Sequence, residues 1–214
     1  DFGCSWDTIT TLNVVQTPIV DLGPDRSSCE GKGVILDAGN PGATSYDWEP
    51  TGEHTKTILA NPPLNQTGSK TYKVQVTNYN GNLYCYGLDS VKLIVYPAAT
   101  AAFTSDKFPL EGCEPYTFQL RSTSSNSSQY EWTVGDLTST DPNPSFTFPY
   151  GTYNLKLKVT SENGCTDSIY YANIINVYKH PIADFGWDPT TPYASDPTAH
   201  FINTTKPDDP TNQY

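Results

Sequence analysis

The sequence predicts an all-β chain in which small antiparallel sandwiches follow one another in tandem. Three observations lead there. A scaffold of cysteine and tryptophan recurs at fixed spacing: Cys29 stands as far before Trp48 as Cys113 does before Trp132, and each tryptophan is followed by a second cysteine, Cys85 and Cys165. Apolar and polar residues alternate with a period of two over several short runs, the pattern of a half-buried strand. Threonine, tyrosine and valine abound beside 15 glycines and 18 prolines, which suits strands joined by many turns, and no amphipathic helical stretch interrupts them.

Such a repeat sets the domain organisation before any strand is placed. The step from Cys29 to Cys113 equals the step from Trp48 to Trp132, and the steps from Cys4 to Cys85 and from Cys85 to Cys165 are nearly as long and differ from each other by a single position. Just after each second cysteine comes Asp-Ser-aliphatic, as Asp89-Ser90-Val91 and Asp167-Ser168-Ile169, and the chain opens on the same tail with Cys4 and then Asp7-Thr8-Ile9. Pro18, Pro97 and Pro181 mark the joints. The expected organisation is the C-terminal strand of a preceding module (1–18), a complete module (19–97), a second complete module (98–180) and the N-terminal part of a truncated third (181–214). The third opens on Ala183-Asp184-Phe185, echoing Ala101-Ala102-Phe103, and Tyr214 matches Tyr130, two residues before Trp132.

Within the first complete module, strands are expected at 34–36, 45–48, 72–77 and 91–95. Within the second they are expected at 116–120, 129–134, 153–160 and 169–177. The run 153–160 is the clearest: Tyr153, Leu155, Leu157 and Val159 point one way, and Asn154, Lys156, Lys158 and Thr160 the other. It ends in the turn Asn163-Gly164, as 72–77 ends in Asn80-Gly81, so each pairs as a hairpin with the strand that follows. About seven short strands around a central tryptophan describe an immunoglobulin-like sandwich, with Trp48 and Trp132 as core fillers. Cys113 is expected to precede its strand and Cys165 to follow a hairpin turn, so the disulfide should tie loop to loop near one end.

Five cysteines make an odd count, and the repeat register accounts for it. Cys29 is expected to pair with Cys85, Cys113 with Cys165, and Cys4 with a partner upstream of residue 1. Closing loops of about 50–60 residues would contribute roughly 4 kcal/mol each, a large share for modules of about 80 residues with little core. Disulfides place the chain outside the cytoplasm.

The second module resembles the PKD (polycystic kidney disease) repeat family. The resemblance rests on Gly112-Cys113-Glu114-Pro115, Tyr130-Glu131-Trp132-Thr133-Val134-Gly135-Asp136, Pro142-Asn143-Pro144 and Gly151-Thr152-Tyr153. The family's W-D-F-G-D-G-x-x-S is altered: Thr133-Val134 replaces Asp-Phe and Leu137 replaces the second glycine, while Gly135, Asp136 and Thr138-Ser139 remain. The first module, with Leu22-Gly23-Pro24-Asp25, Leu36-Asp37-Ala38-Gly39 and Tyr46-Asp47-Trp48, looks like the Ig- or PKD-like modules of very long surface proteins in gliding bacteria with a type IX secretion system. That resemblance implies a cell-surface or secreted, non-enzymatic adhesive array. Its implied partners are neighbouring modules, surface polysaccharide or the secretion and motility machinery. The alternative is a stalk or carbohydrate-binding accessory region of a large secreted hydrolase, with Tyr79, Tyr84, Tyr86, Tyr170 and Tyr171 as sugar-stacking surfaces.

The triplets also look like the O-glycosylation acceptor motif of related bacteria, which makes Thr8, Ser90 and Ser168 candidate acceptors. The structural reading is that aspartate ends a turn and the next residues begin an alternating strand. Sequons at Asn65, Asn126 and Asn203 matter only in a pathway that performs N-glycosylation.

The other chemistries find little here. A net charge of −11 argues against nucleic acid and anionic membranes, and no apolar run approaches the ~18–20 residues of a membrane helix. His54, His180 and His200 are the only histidines and have no counterpart at equivalent repeat positions, which argues against a catalytic triad. No phosphate-binding glycine loop and no calcium loop is present; Asp21 with Asp25, or Asp184 with Asp188, are the acids near the joints that calcium would use. No cofactor is expected.

Overall fold

The structure, a computed structural model, describes residues 14–63, 65–188 and 200–205, together with Gly3, Thr10, Leu12 and Thr198. Among the described residues there is no helix; strands form five sheets in an all-β, immunoglobulin-like architecture. The chain divides into two compact units, Asp1–Ala98 and Ala99–Tyr214.

The first unit contains β1 (Arg26–Cys29), β2 (Val34–Asp37), β3 (Ser45–Glu49), β4 (Thr57–Ala60), β5 (Gly68–Tyr79) and β6 (Tyr84–Tyr96). One sheet runs β1-β6-β5-β3 and the other pairs β2 with β4. Alternation decides which face is buried. Tyr72, Val74 and Val76 of β5, and Val91, Leu93 and Val95 of β6, turn inward with Trp48 to meet Leu36, Ile58 and Ala60 of the small sheet. Intervening residues such as Lys73, Gln75 and Lys92 face solvent. The Trp48 indole N–H donates to the Thr55 carbonyl at 2.8 Å, so the ring is 2% exposed without an orphaned donor.

The second unit contains β7 (Phe103–Ser105), β8 (Glu111–Cys113), β9 (Tyr116–Ser122), β10 (Gln129–Val134), β11 (Leu137–Ser139), β12 (Ser145–Phe148), β13 (Gly151–Thr160) and β14 (Thr166–Tyr178). The sheets run β11-β10-β13-β14-β8 and β12-β9-β7. Between them lie Phe118, Leu120, Phe146 and Phe148 from the smaller sheet, and Trp132, Val134, Leu155, Leu157, Val159, Ile175 and Val177 from the larger. Trp132 donates to the Asp141 carbonyl at 2.9 Å, as Trp48 does to Thr55 in its own unit. The Gln119 amide holds the Asp106 carboxyl below its ordinary 3.8, with Ser105 and Lys107 assisting. That contact between the end of β7 and β9 is present above the ordinary carboxylate value and lost as pH falls below the lowered one. A separate hairpin, β15 (Phe185–Asp188) with β16 (His200–Asn203), follows.

Three local features differ from the sequence expectation. Cys85 lies inside β6, which starts before it, and Cys113, which does precede β9, also ends a short strand of its own, β8. Both β1 and β8 run parallel to the last strand of their sheet, β1 beside Leu93–Tyr96 and β8 beside Asn176–Tyr178. Ser27-Ser28-Cys29 and Glu111-Gly112-Cys113 carry no apolar alternation; they are strands because an edge of β6 or β14 offers them a ladder. Gly112 also permits this placement, since a Cβ there would stand 2.4 Å from the Tyr116 ring. Finally, β14 is interrupted by a bulge opposite Tyr153–Leu155, where Asn173 takes φ 53° and its N–H is held by the Asn154 side chain at 2.9 Å.

Candidate functional site

The sites singled out by the repeat cluster along one line in each unit: the stretch that enters the unit, and the long last strand beside it. In the first unit the entering stretch follows β6 from end to end. The Cys85 thiol reaches the Val15 carbonyl at 3.5 Å, and the Asn78 side-chain amide donates to the Gln16 carbonyl at 2.8 Å. Asn40 grips Ile19 at both its N–H (3.1 Å) and its C=O (2.8 Å). A Cβ on Gly87 would stand 2.3 Å from the Pro18 carbonyl oxygen, so only glycine lets the backbone lie this close. Leu22 N–H then donates to Asp89 Oδ2 at 2.7 Å, Lys92 N–H donates to Asp25 Oδ1 at 2.9 Å, and β1 continues the line beside Leu93–Tyr96.

The second unit repeats the plan with a detour. Ala101 N–H donates to Asp167 Oδ2 at 2.8 Å at the start of β14. The chain then crosses to the other sheet as β7 and returns as β8 beside the end of β14. Glu114 N–H closes on the Tyr178 carbonyl at 2.9 Å, the counterpart of Glu30 N–H on Tyr96 at 2.8 Å.

This gives the Asp-Ser-aliphatic triplets a physical role. The aspartate clamps the entering backbone: Asp89 holds Leu22 and Asp167 holds Ala101. Replacing Asp167 by alanine strips a part-buried amide of a charged acceptor and is expected to cost the second unit about 1.5–3 kcal/mol, with asparagine costing less. Denaturant unfolding checks this, and a loss under about 0.5 kcal/mol would show that water serves the amide as well. The serines that follow, Ser90 and Ser168, are exposed on the opposite face of the strand. Thr8 and Cys4 lie outside the described residues.

The cysteines correct the sequence reading. Cys29 and Cys165 are disulfide-bonded, whereas Cys85 and Cys113 are free thiols, so neither Cys29–Cys85 nor Cys113–Cys165 is formed. The register explains why. Cys29 sits beside Tyr96, and Cys85 lies near the other end of the same β6, roughly 36 Å away at about 3.3 Å per residue. Cys113 sits beside Tyr178, while Cys165 immediately precedes the far end of β14, roughly 40 Å away. A disulfide spans only about 4.4–6.8 Å between Cα atoms. The two described cysteines of each unit stand at opposite ends of its longest strand.

The remaining candidates are surface features. Tyr79 and Tyr84 stack at 4.2 Å and 16°, and Tyr86 and Leu88 extend the same outward row along β6. Tyr170 is exposed, and Tyr171 meets Phe103 edge-on at 5.8 Å. His54 contacts Asp47 at 2.8 Å with both side chains largely exposed. Asp21 caps Gly23 N–H at 2.8 Å and Asp25 holds Lys92, so these carboxylates serve the backbone; Asp184 contributes its own N–H and C=O to Thr205. Among the described residues no three His, Cys, Asp or Glu side chains come together to hold a metal ion.

No protein-family model and no curated protein matches the chain. Among solved structures it is similar to the N-terminal eight immunoglobulin domains of Down Syndrome Cell Adhesion Molecule isoform 1.30.30, at TM-score 0.50 and 14% identity over 80% of this chain, which spans 25% of that one. That likeness shows the immunoglobulin-like fold. The chain also matches the PKD1 domain of the Vibrio cholerae metalloprotease PrtV (27% identity, 37% of this chain and 96% of that domain, TM-score 0.30). A further match is a Ca2+-stabilised, ice-binding adhesin of an Antarctic bacterium (11% identity, 79% of this chain and 52% of that one, TM-score 0.41).

Proposed function

We propose that the chain is a non-catalytic, load-bearing segment of an extracellular filament, serving adhesion or holding an adhesive end away from the cell. One observation carries this reading. In each unit the entering stretch and the last strand lie side by side and run the same way, held from Asp89 to Tyr96 in one unit and from Asp167 to Tyr178 in the other. Tension along the chain pulls the entering stretch backwards and the last strand forwards. The bonds between them are then loaded together in shear, and none can open before its neighbours share the load.

The experiment is single-molecule extension in reductant. Moving one handle from the end of β6 to Leu83, at the tip of the β5–β6 hairpin, makes the same contacts peel one at a time. The first unit is expected to rupture at a force several-fold lower in that geometry; equal forces would sink the load-bearing reading.

The finer assignment is an adhesin of gliding motility exported by a type IX system, with modules 19–97 and 98–180 as repeating links, neighbouring modules as partners, and Ser90 and Ser168 carrying O-glycans. It is supported by the sequence resemblance and by the outward serines. Peptide mass spectrometry of the protein from its native cell is expected to find hexose-type mass on both serines, and unmodified peptides would end the glycan part. The second reading, carbohydrate contact, is favoured by the exposed row Tyr84, Tyr86 and Leu88. Polysaccharide retention that Tyr84→Ala and Tyr86→Ala abolish would move the assignment to it.

A further inference from the structure

We infer that the outward face of the sheet β1-β6-β5-β3 is a binding track for an uncharged polysaccharide, with one sugar ring seated in a polar pocket at the end of an apolar row. The row is Tyr84, Tyr86 and Leu88 of β6, exposed at 69%, 59% and 64%. Residues two apart on a strand share a face, so the row is continuous. Tyr79 of β5 stands opposite Tyr84 and stacks on it, which fixes the ring at the hairpin end. From Tyr84 to Leu88 the row runs roughly 13 Å, at about 3.3 Å per residue, which outreaches a single sugar ring. Exposed apolar surface rimmed by polar groups marks a contact site, and tyrosine rings offer flat faces to the C–H side of a pyranose.

Leu88 is also a wall of a shallow pocket of about 240 Å³, whose other side chains include Asp47, Glu49, His54, Lys73 and Gln75. Strand register puts them together: Asp47, Gln75 and Leu88 form one cross-strand row, and Glu49 and Lys73 lie in the next that faces outward. Asp47 contacts His54 at 2.8 Å, while among the described residues Lys73 and Gln75 spend no side-chain hydrogen bond or ion pair on the protein. Carboxylates only accept, an ammonium only donates and an amide does both. A ligand that serves them all must set donors beside acceptors, as neighbouring hydroxyl groups do. Charge narrows the choice. An anion would meet Asp47 and Glu49, a cation would meet Lys73, and the row from Tyr84 to Leu88 is uncharged. A protein partner fits less well, because four partly exposed side chains fall well short of the about 800 Å² that each side of a stable interface buries. The second unit lacks the combination: outward on β14, Ser168 and Tyr170 lie beside Lys158 and Lys156, and Lys158 is spent on Glu131 at 2.9 Å. The pocket rests on the carbohydrate-contact reading and is independent of the load-bearing one.

Native electrophoresis of the full chain through gels cast with soluble polymers tests it. Hydroxyethyl cellulose, xyloglucan and galactomannan are the uncharged probes and alginate is the acidic one. At least one uncharged polymer is expected to retard the chain. Tyr86→Ala and Gln75→Ala should each weaken that retention roughly three- to tenfold, the worth of one aromatic contact or one hydrogen bond. Tyr170→Ala in the second unit should leave it unchanged. All three replace exposed side chains, and an unaltered thermal transition shows that each variant is folded. Retention that needs Tyr86 but neither Gln75 nor Lys73 would overturn the pocket and leave the carbohydrate reading standing. No retention by any uncharged polymer, or retention by alginate alone, would overturn both. A dimer in sedimentation that Tyr84→Ala dissociates would give the face to a second copy of the chain and overturn the polysaccharide track.

Discussion

Trp132→Ala is expected to remove about 3–5 kcal/mol from the second unit, the usual cost of deleting a large buried aromatic ring. The ring is 1% exposed, stands edge-on to Phe103 at 5.9 Å, and carries a donor satisfied by Asp141. Truncation therefore opens a void between the two sheets and leaves the Asp141 carbonyl without its partner. Small domains hold only about 5–15 kcal/mol in total, so the variant should lose most of that unit's stability. Trp132→Phe keeps much of the buried area but loses the hydrogen bond and should cost less. Denaturant titration in reductant reads both, with the unfolding of the Trp48 unit as the internal reference. A cost below about 1 kcal/mol for alanine would mean that the core closes over the gap.

The sandwich was legible because alternation is a local property. Leu155, Leu157 and Val159 declare their face by their own spacing, and the equal offsets of Cys29 from Cys113 and of Trp48 from Trp132 mark the same place in two cores. Strands whose existence depends on a neighbour were not legible. Both β1 and β8 are short and mostly small or polar, and only the free edge of a strand at the far end of the same unit makes them strands. The cysteine pairing failed for that reason. Once β1 and β8 are placed, each first cysteine belongs at the outgoing end of the last strand, opposite the end that holds the second. Repeat register identifies equivalent positions but does not say which of them come close enough to bond. The Asp-Ser triplets carried a similar ambiguity. Their recurrence was plain, but the amides they clamp, Leu22 and Ala101, lie at the opposite end of each unit's sequence and carry no mark of it.

Gly87→Ala is expected to strip the entering stretch from β6 and to cost the first unit about 1–3 kcal/mol, the usual penalty for forcing extra volume into a filled site. A Cβ there would stand 2.3 Å from the Pro18 carbonyl oxygen and 2.9 Å from Val20 Cγ2, so backbone rather than a flexible side-chain tip must give way. Pro18 is buried, and the residues flanking it are tied down, Ile19 by Asn40 and Gln16 by Asn78. Denaturant unfolding in reductant reads the loss, with the unfolding of the Trp132 unit as the internal reference. A loss below about 0.5 kcal/mol would mean that the entering stretch lifts off β6 at little cost. That outcome would also weaken the load-bearing reading, because a stretch that detaches so easily shares no load with the strand beside it.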